Sequence, residues 1–206
     1  MLRRALVVGI ANYPNKPLSG CVGDATQIAA ILSKHQDGTK NFACKKLTAP
    51  DDPVTRVELL KNLEELFAHE ADVALFYFAG HGVVNNLGGY LGTIDMRQYD
   101  EGVSMVEVLT LANHSEIDQI VIILDCCHSG KFGVIPAFKN DHAVLREGIS
   151  ILCAGRASQA VEEKDSSGVF TALVCNALDG GASDVIGNVT VASIYAFVEQ
   201  AKEGKI

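Results

Sequence analysis

Four short, almost unbroken apolar runs constrain this chain more than any other feature: residues 5–10, 73–78, 120–124 and 149–154. A strand with one wet face alternates apolar and polar side chains. A strand apolar at nearly every position needs cover on both faces, which is the habit of parallel sheets. The stretches between these runs carry helical spacing. Residues 24–35 place Ile28, Ala29, Ile31 and Leu32 on one face. Residues 53–69 repeat Val57, Leu60, Leu63, Leu66 and Phe67, with Pro53 near the start, where its missing N–H costs nothing. Helices are also expected over 104–114, 168–179 and 190–202, a weaker strand over 42–47, and a turn or small hairpin at 88–92. Strands alternating with helices predict an α/β fold: a mainly parallel, twisted sheet between two helical layers. In such sheets ligands bind beyond the carboxyl ends of the strands.

The chain has 206 residues, 48% of them hydrophobic, which suits one domain with one sizeable core. Its net charge is −8 and no run of Lys or Arg occurs, so no nucleic-acid partner is expected. No stretch approaches the ~20 apolar residues of a membrane span. Met1-Leu2-Arg3-Arg4 and the apolar run behind it imitate a short signal peptide, but Tyr13-Pro14-Asn15 follows at once; the reading is a first strand in a cytoplasmic protein. The six cysteines form no CxxC pair and are read as reduced.

Two strand ends carry chemistry. The run 120–124 leads into Asp125-Cys126-Cys127-His128-Ser129-Gly130, and the run 73–78 leads into Ala79-Gly80-His81-Gly82. A strand fixes a residue at its end, and a turn of small residues exposes it, so a thiol there suits a nucleophile and the histidine a proton carrier. Adjacent residues on a strand face opposite ways, so only one of Cys126 and Cys127 can face a shared cleft. Zinc is not expected, because it needs about four convergent ligands and three consecutive residues cannot surround one ion.

On these two motifs the chain resembles the caspase-fold cysteine proteases, in the metacaspase and bacterial orthocaspase branch. The separation of His81 from the cysteines fits caspase-type spacing. Further matches follow in family order. They are residues 5–10 with Asn12-Tyr13, Gly20-Cys21-Val22-Gly23-Asp24-Ala25, Gly89-Tyr90-Leu91 with Asp95, Ser158-Gln159-Ala160-Val161-Glu162, and Gly168-Val169-Phe170-Thr171. The resemblance implies a caspase-fold three-layer sandwich with strand order 2-1-3-4-5 and a sixth strand expected beyond the last helix, either absent or supplied by a longer chain. Residues 1–135 are then large-subunit-like, 136–147 a loop and 148–206 small-subunit-like. A longer protein with a sensor or effector domain is expected.

The resemblance also implies roles. Cys127 is the nucleophile, His81 its partner, and the N–H groups of Gly82 and Cys127 the oxyanion hole; Cys126 is core. Asp24 and Asp125 line the S1 pocket where animal caspases, which cut after Asp, carry Arg and Gln. A carboxylate pair selects protein or peptide substrates with Arg, then Lys, at P1. The acidic clusters that bind calcium in many metacaspases are thin here. The stretch 103–107 and the turn 131–134 hold only Glu107, so no cofactor is expected, although Asp95, Asp100 and Glu101 lie near. Self-cleavage, if it occurs, is expected at Lys131, Lys139, Arg146 or Lys164. The alternative function is a catalytically silent caspase-fold interaction module.

Overall fold

The computed structural model describes residues 1–68, 70–126, 145–154, 166–202 and 204. In chain order the elements begin β1 (Arg3–Ile10), α1 (Cys21–Ser33), β2 (Ala43–Ala49), α2 (Arg56–Ala68) and β3 (Val73–Ala79). Three short strands follow, β4 (Gly82–Asn85), β5 (Gly88–Leu91) and β6 (Val103–Ser104), then α3 (Met105–His114) and β7 (Gln119–Asp125). The described chain closes with β8 (Ile149–Cys153), α4 (Ser166–Asn176), a π turn (Ala177–Gly181) and α5 (Val191–Lys202).

The main sheet runs β2-β1-β3-β7-β8, with every neighbouring pair parallel. This is the order the family resemblance implies, β7 and β8 being its fourth and fifth strands. The expected hairpin is present as β4 and β5, and β6 extends it into a small antiparallel sheet. The apolar runs are buried on both faces, as parallel pairing requires. Leu6, Val8, Phe76, Phe78, Ile122 and Leu124 pack with α2 and α3. Ala5, Val7, Leu75, Tyr77 and Ile123 pack with α1, α4 and α5. Each fully buried Leu, Ile or Phe contributes about 1.5–3 kcal/mol of transfer free energy, so these two layers hold the strand ends in place.

Two helix faces differ from expectation. Val57 is 73% exposed, and the buried face of α2 is Leu59, Asn62, Leu63, Leu66 and Phe67. The helix begins at Arg56, where Asp95 accepts the Arg56 N–H at 3.0 Å. Val57 thus falls on the outer side of the first turn, and Val54, ahead of the helix, is the residue buried there. In α1 the buried line is Cys21, Ala25, Ile28 and Leu32, while Ala29 and Ile31 are only half-buried. This helix starts at Cys21, so Asp24 lies within its first turn. It closes tightly on β1 because residue 9 is glycine; a Cβ there would stand 2.3 Å from the Cys21 carbonyl oxygen.

Candidate active site

The register places the carboxyl ends of the central strands side by side: Gly9 pairs with Ala79, and Ala79 with Asp125. Two residues beyond β3's end stands His81, and nearly all its polar groups are held. Its backbone N–H donates to the Tyr13 hydroxyl at 3.0 Å, and that hydroxyl donates to the Gly92 carbonyl at 3.0 Å. The His81 carbonyl accepts the Gly92 N–H at 2.8 Å. The Tyr13 and His81 rings pack with centroids 4.5 Å apart. Residue 80 must be glycine for this to close, since a Cβ would come within 2.5 Å of the Tyr13 hydroxyl. Burial pushes the Tyr13 hydroxyl far above its ordinary pKa, so it remains a neutral donor.

The ring of His81 is oriented as well. Its Nε2 lies 2.7 Å from the carbonyl oxygen of Lys16. A carbonyl only accepts, so Nε2 carries the proton of the neutral imidazole and Nδ1 is left with the lone pair. Nδ1 is the atom able to receive a proton.

The end of β7 is built differently. Asp125 is 1% exposed. Its Oδ2 accepts the Thr171 hydroxyl of α4 at 2.5 Å, and Thr171 Oγ1 lies 2.6 Å from the hydroxyl of Tyr77 on β3. Its Oδ1 is buried with no partner among the described residues, and the same holds for Oδ2 of Asp24. Burial raises the Asp125 carboxyl to about 7; the Thr171 hydrogen bond opposes the rise and the charge of Asp24 adds to it. Burial also raises Asp24. Ordinarily, buried carboxylates are paired or fully hydrogen-bonded.

Cys127, Lys131, Lys139 and Lys164 lie outside the described residues. Cys126 is 5% exposed and packs in the core layer of α2 and α3, opposite the face that carries Asp125. Cys21, Cys44, Cys126, Cys153 and Cys175 are all thiols. Gly82 opens β4, paired with Leu91. Arg146 is anchored: its N–H donates to Asn113 Oδ1 at 2.9 Å, and its guanidinium donates to the carbonyls of Glu147 and Ile117. A P1 role for it requires those bonds to break first. Of the acids near the hairpin, Asp95 accepts from the Arg56 N–H and the Thr93 hydroxyl. Glu107 pairs with the Arg56 guanidinium at 2.6 Å and caps α3 through the Ser104 N–H. Asp100 pairs with Arg97 at 3.4 Å. Among the described residues no three acids, histidines or cysteines gather into a metal-sized group.

A caspase-domain family model matches residues 2–202. The chain belongs to the caspase-domain family. Membership makes this caspase domain part of a cysteine-peptidase family that acts on proteins. Solved structures agree on the fold. Protein GSU0716 of Geobacter sulfurreducens is 15% identical with a TM-score of 0.71, over 98% of this chain and 89% of that one. The Drosophila initiator caspase Dronc is 11% identical with a TM-score of 0.60, over 97% of this chain and 72% of that one. No curated protein matches the sequence. Among the described residues no helix is long and apolar enough to cross a membrane.

The strand-end motifs mark His81 and Asp125 but not what holds them. Tyr13 and Thr171 were visible only as parts of a resemblance, and the Lys16 carbonyl has no side-chain signature at all. Their partners lie 68, 46 and 65 residues away, beyond the reach of any local pattern.

Proposed function

We propose that this caspase domain is a cytoplasmic cysteine endopeptidase of the metacaspase and orthocaspase type that cleaves after Arg, then Lys. The observation that carries the reading is the pair Asp24 and Asp125. Both sit by the carboxyl edge of the sheet, and each has a buried oxygen with no partner among the described residues. No described Lys or Arg is bonded to either, so the charge needed there is left for a ligand. A P1 guanidinium offers two or more donors to such a pair and binds better than the single point of an ammonium.

In this reading the Cys127 thiol gives its proton to Nδ1 of His81, the resulting thiolate attacks the P1 carbonyl carbon, and the N–H groups of Gly82 and Cys127 hydrogen-bond the oxyanion. The C–N bond then breaks, and the leaving amine takes a proton from His81. Water releases the acyl group from Cys127 and restores the thiol. The Lys16 carbonyl stabilises the imidazolium by accepting its Nε2 proton, the service a carboxylate gives elsewhere. No calcium is required, because Arg56 already balances Glu107 and its own N–H occupies Asp95. If the chain cuts itself, Lys131, Lys139 and Lys164 are better candidates than the anchored Arg146. The role in bacterial stress, death or defence signalling, with a sensor or effector partner, rests on family analogy alone.

Fluorogenic peptides with Arg, Lys, Asp or Ala at P1 test this, with calcium and with chelator. Cleavage after Arg above Lys, unchanged by chelator, is expected. Cleavage after Asp alone would overturn the pocket, and dependence on calcium would overturn the cofactor reading.

A further inference from the structure

Among the described residues the Asp125 carboxylate has one hydrogen-bonded oxygen and one with no partner, and the bonded one is held by a relay of two neutral hydroxyls. Thr171 has a single hydroxyl hydrogen. An ionised Asp125 accepts only, so Thr171 gives that hydrogen to Oδ2 and must receive the Tyr77 hydrogen at its own oxygen. All the members are buried: Tyr77 and Thr171 are both 0% exposed. They come from three elements, β3, α4 and β7, that the core holds in fixed register.

We propose that Thr171 and Tyr77 are positioning residues for substrate selection: their hydroxyl relay fixes the rotamer of Asp125 and turns Oδ1 toward a P1 cation. This rests on the S1 reading of Asp125. A neutral relay suits the task better than an arginine would. It orients the carboxylate without cancelling its charge, so the full attraction is kept for the substrate. It also sets the pH at which that charge exists. The groups facing Asp125 among the described residues are Asp24 from α1, Tyr77 from β3 and Thr171 from α4, with Cys21 near Tyr77 and Cys175 beside Asp24. None is cationic, so Thr171 is the described group that favours the ionised form. Protonating Asp125 removes the attraction, and cleavage after Arg therefore declines as pH falls through about 7.

The test uses the full chain in two forms. In Cys127→Ala protein labelled at the aspartate carboxyl carbon, the Asp125 NMR signal, assigned with Asp125→Asn, is titrated in Thr171→Val, Thr171→Ser and Tyr77→Phe backgrounds. Thr171→Val is expected to raise the midpoint by about one pH unit, a tenfold change in the proton-binding equilibrium. Thr171→Ser restores the original midpoint, and Tyr77→Phe moves it less. In the active enzyme the acid limb of kcat/KM for an Arg peptide moves by the same amount. The loss at pH 7 appears mainly in KM, since a missing contact to the P1 side chain weakens ground state and transition state alike. A folded Thr171→Val protein with an unmoved Asp125 midpoint overturns the proposal. So does a moved midpoint with an unmoved acid limb. A wild type that ignores Arg and Lys peptides overturns the S1 reading instead, and the NMR titration shows that separately.

Discussion

The ends of β3 and β7 lie side by side and are finished in opposite ways. At the end of β3, the backbone N–H, carbonyl and ring Nε2 of His81 are all bonded, to Tyr13, Gly92 and Lys16. At the end of β7, Asp125 is buried with one oxygen unpartnered among the described residues, and the half-buried Asp24 of α1 also has one such oxygen. The first arrangement is over-determined and the second under-satisfied. Under the proposed function His81 carries a proton and must hold one geometry through the reaction, which bonds closed in advance provide. Under the same proposal Asp125 binds a ligand and must keep an open valence, which costs stability until the ligand arrives.

The sharpest way to break this comparison is to remove the reacting atoms beside these strand ends. Cys127→Ala is expected to lower kcat by at least about 10⁴-fold. Cys126→Ala, which opens a small core void, is expected to change kcat by less than about threefold and to cost roughly 1 kcal/mol of stability. Peptidase assays and urea denaturation read the two effects. If Cys126→Ala were the silent variant, the facing of the β7 end would be wrong.

Next comes the open end. Asp125→Asn is expected to lower kcat/KM for Arg peptides by about 10²–10³-fold, the scale of a lost buried charge contact. It should also stabilise the fold at high pH. The Asp125 carboxyl titrates near 7 in the folded chain. Between its ordinary value near pH 4 and pH 7 the unfolded chain has lost this proton while the folded chain keeps it. Stability therefore falls as pH rises through that window and stays reduced above it. Denaturation of wild type and Asp125→Asn at pH 5 and pH 8 should show a gain for the variant that is larger at pH 8 than at pH 5 by about 1–3 kcal/mol. Equal gains at both would mean that Asp125 is not the group titrating.

At the closed end, Tyr13→Phe deletes one oxygen and leaves the His81 N–H and the Gly92 carbonyl unpaired. A cost of about 1–3 kcal/mol is expected, with kcat falling about tenfold more than kcat for Asp125→Asn on an uncharged P1 peptide. Unchanged kcat would mean that the histidine needs no such support. The smallest effect belongs to the acids by the hairpin. Arg56→Ala frees Glu107 and should cost about 1 kcal/mol, while adding calcium to wild type should shift Tm by less than about 1 °C. A large calcium shift in wild type would mean that these acids bind an ion despite Arg56.

The same comparison explains what the sequence made legible. The apolar runs pointed to a doubly covered parallel sheet and put His81 and Asp125 at its carboxyl edge, whereas the strand order came only from the family resemblance. The phase of α2 could not: Val57 and Leu59 fit the periodicity almost equally, and an Asp95 contact 39 residues away starts the helix at Arg56. Likewise, motifs reveal side chains that react but not those that hold them. Nothing local marks Thr171 as the partner of Asp125, or the Lys16 carbonyl as the partner of His81.

The most direct measurement is covalent capture. The protein is incubated with peptidyl acyloxymethyl ketones carrying Arg or Asp at P1, and the adduct is mapped by mass spectrometry in wild type and Asp125→Asn. The account predicts one adduct, on Cys127, formed with the Arg reagent and lost in Asp125→Asn. An adduct on Cys126, or labelling by the Asp reagent at the same rate, would contradict it.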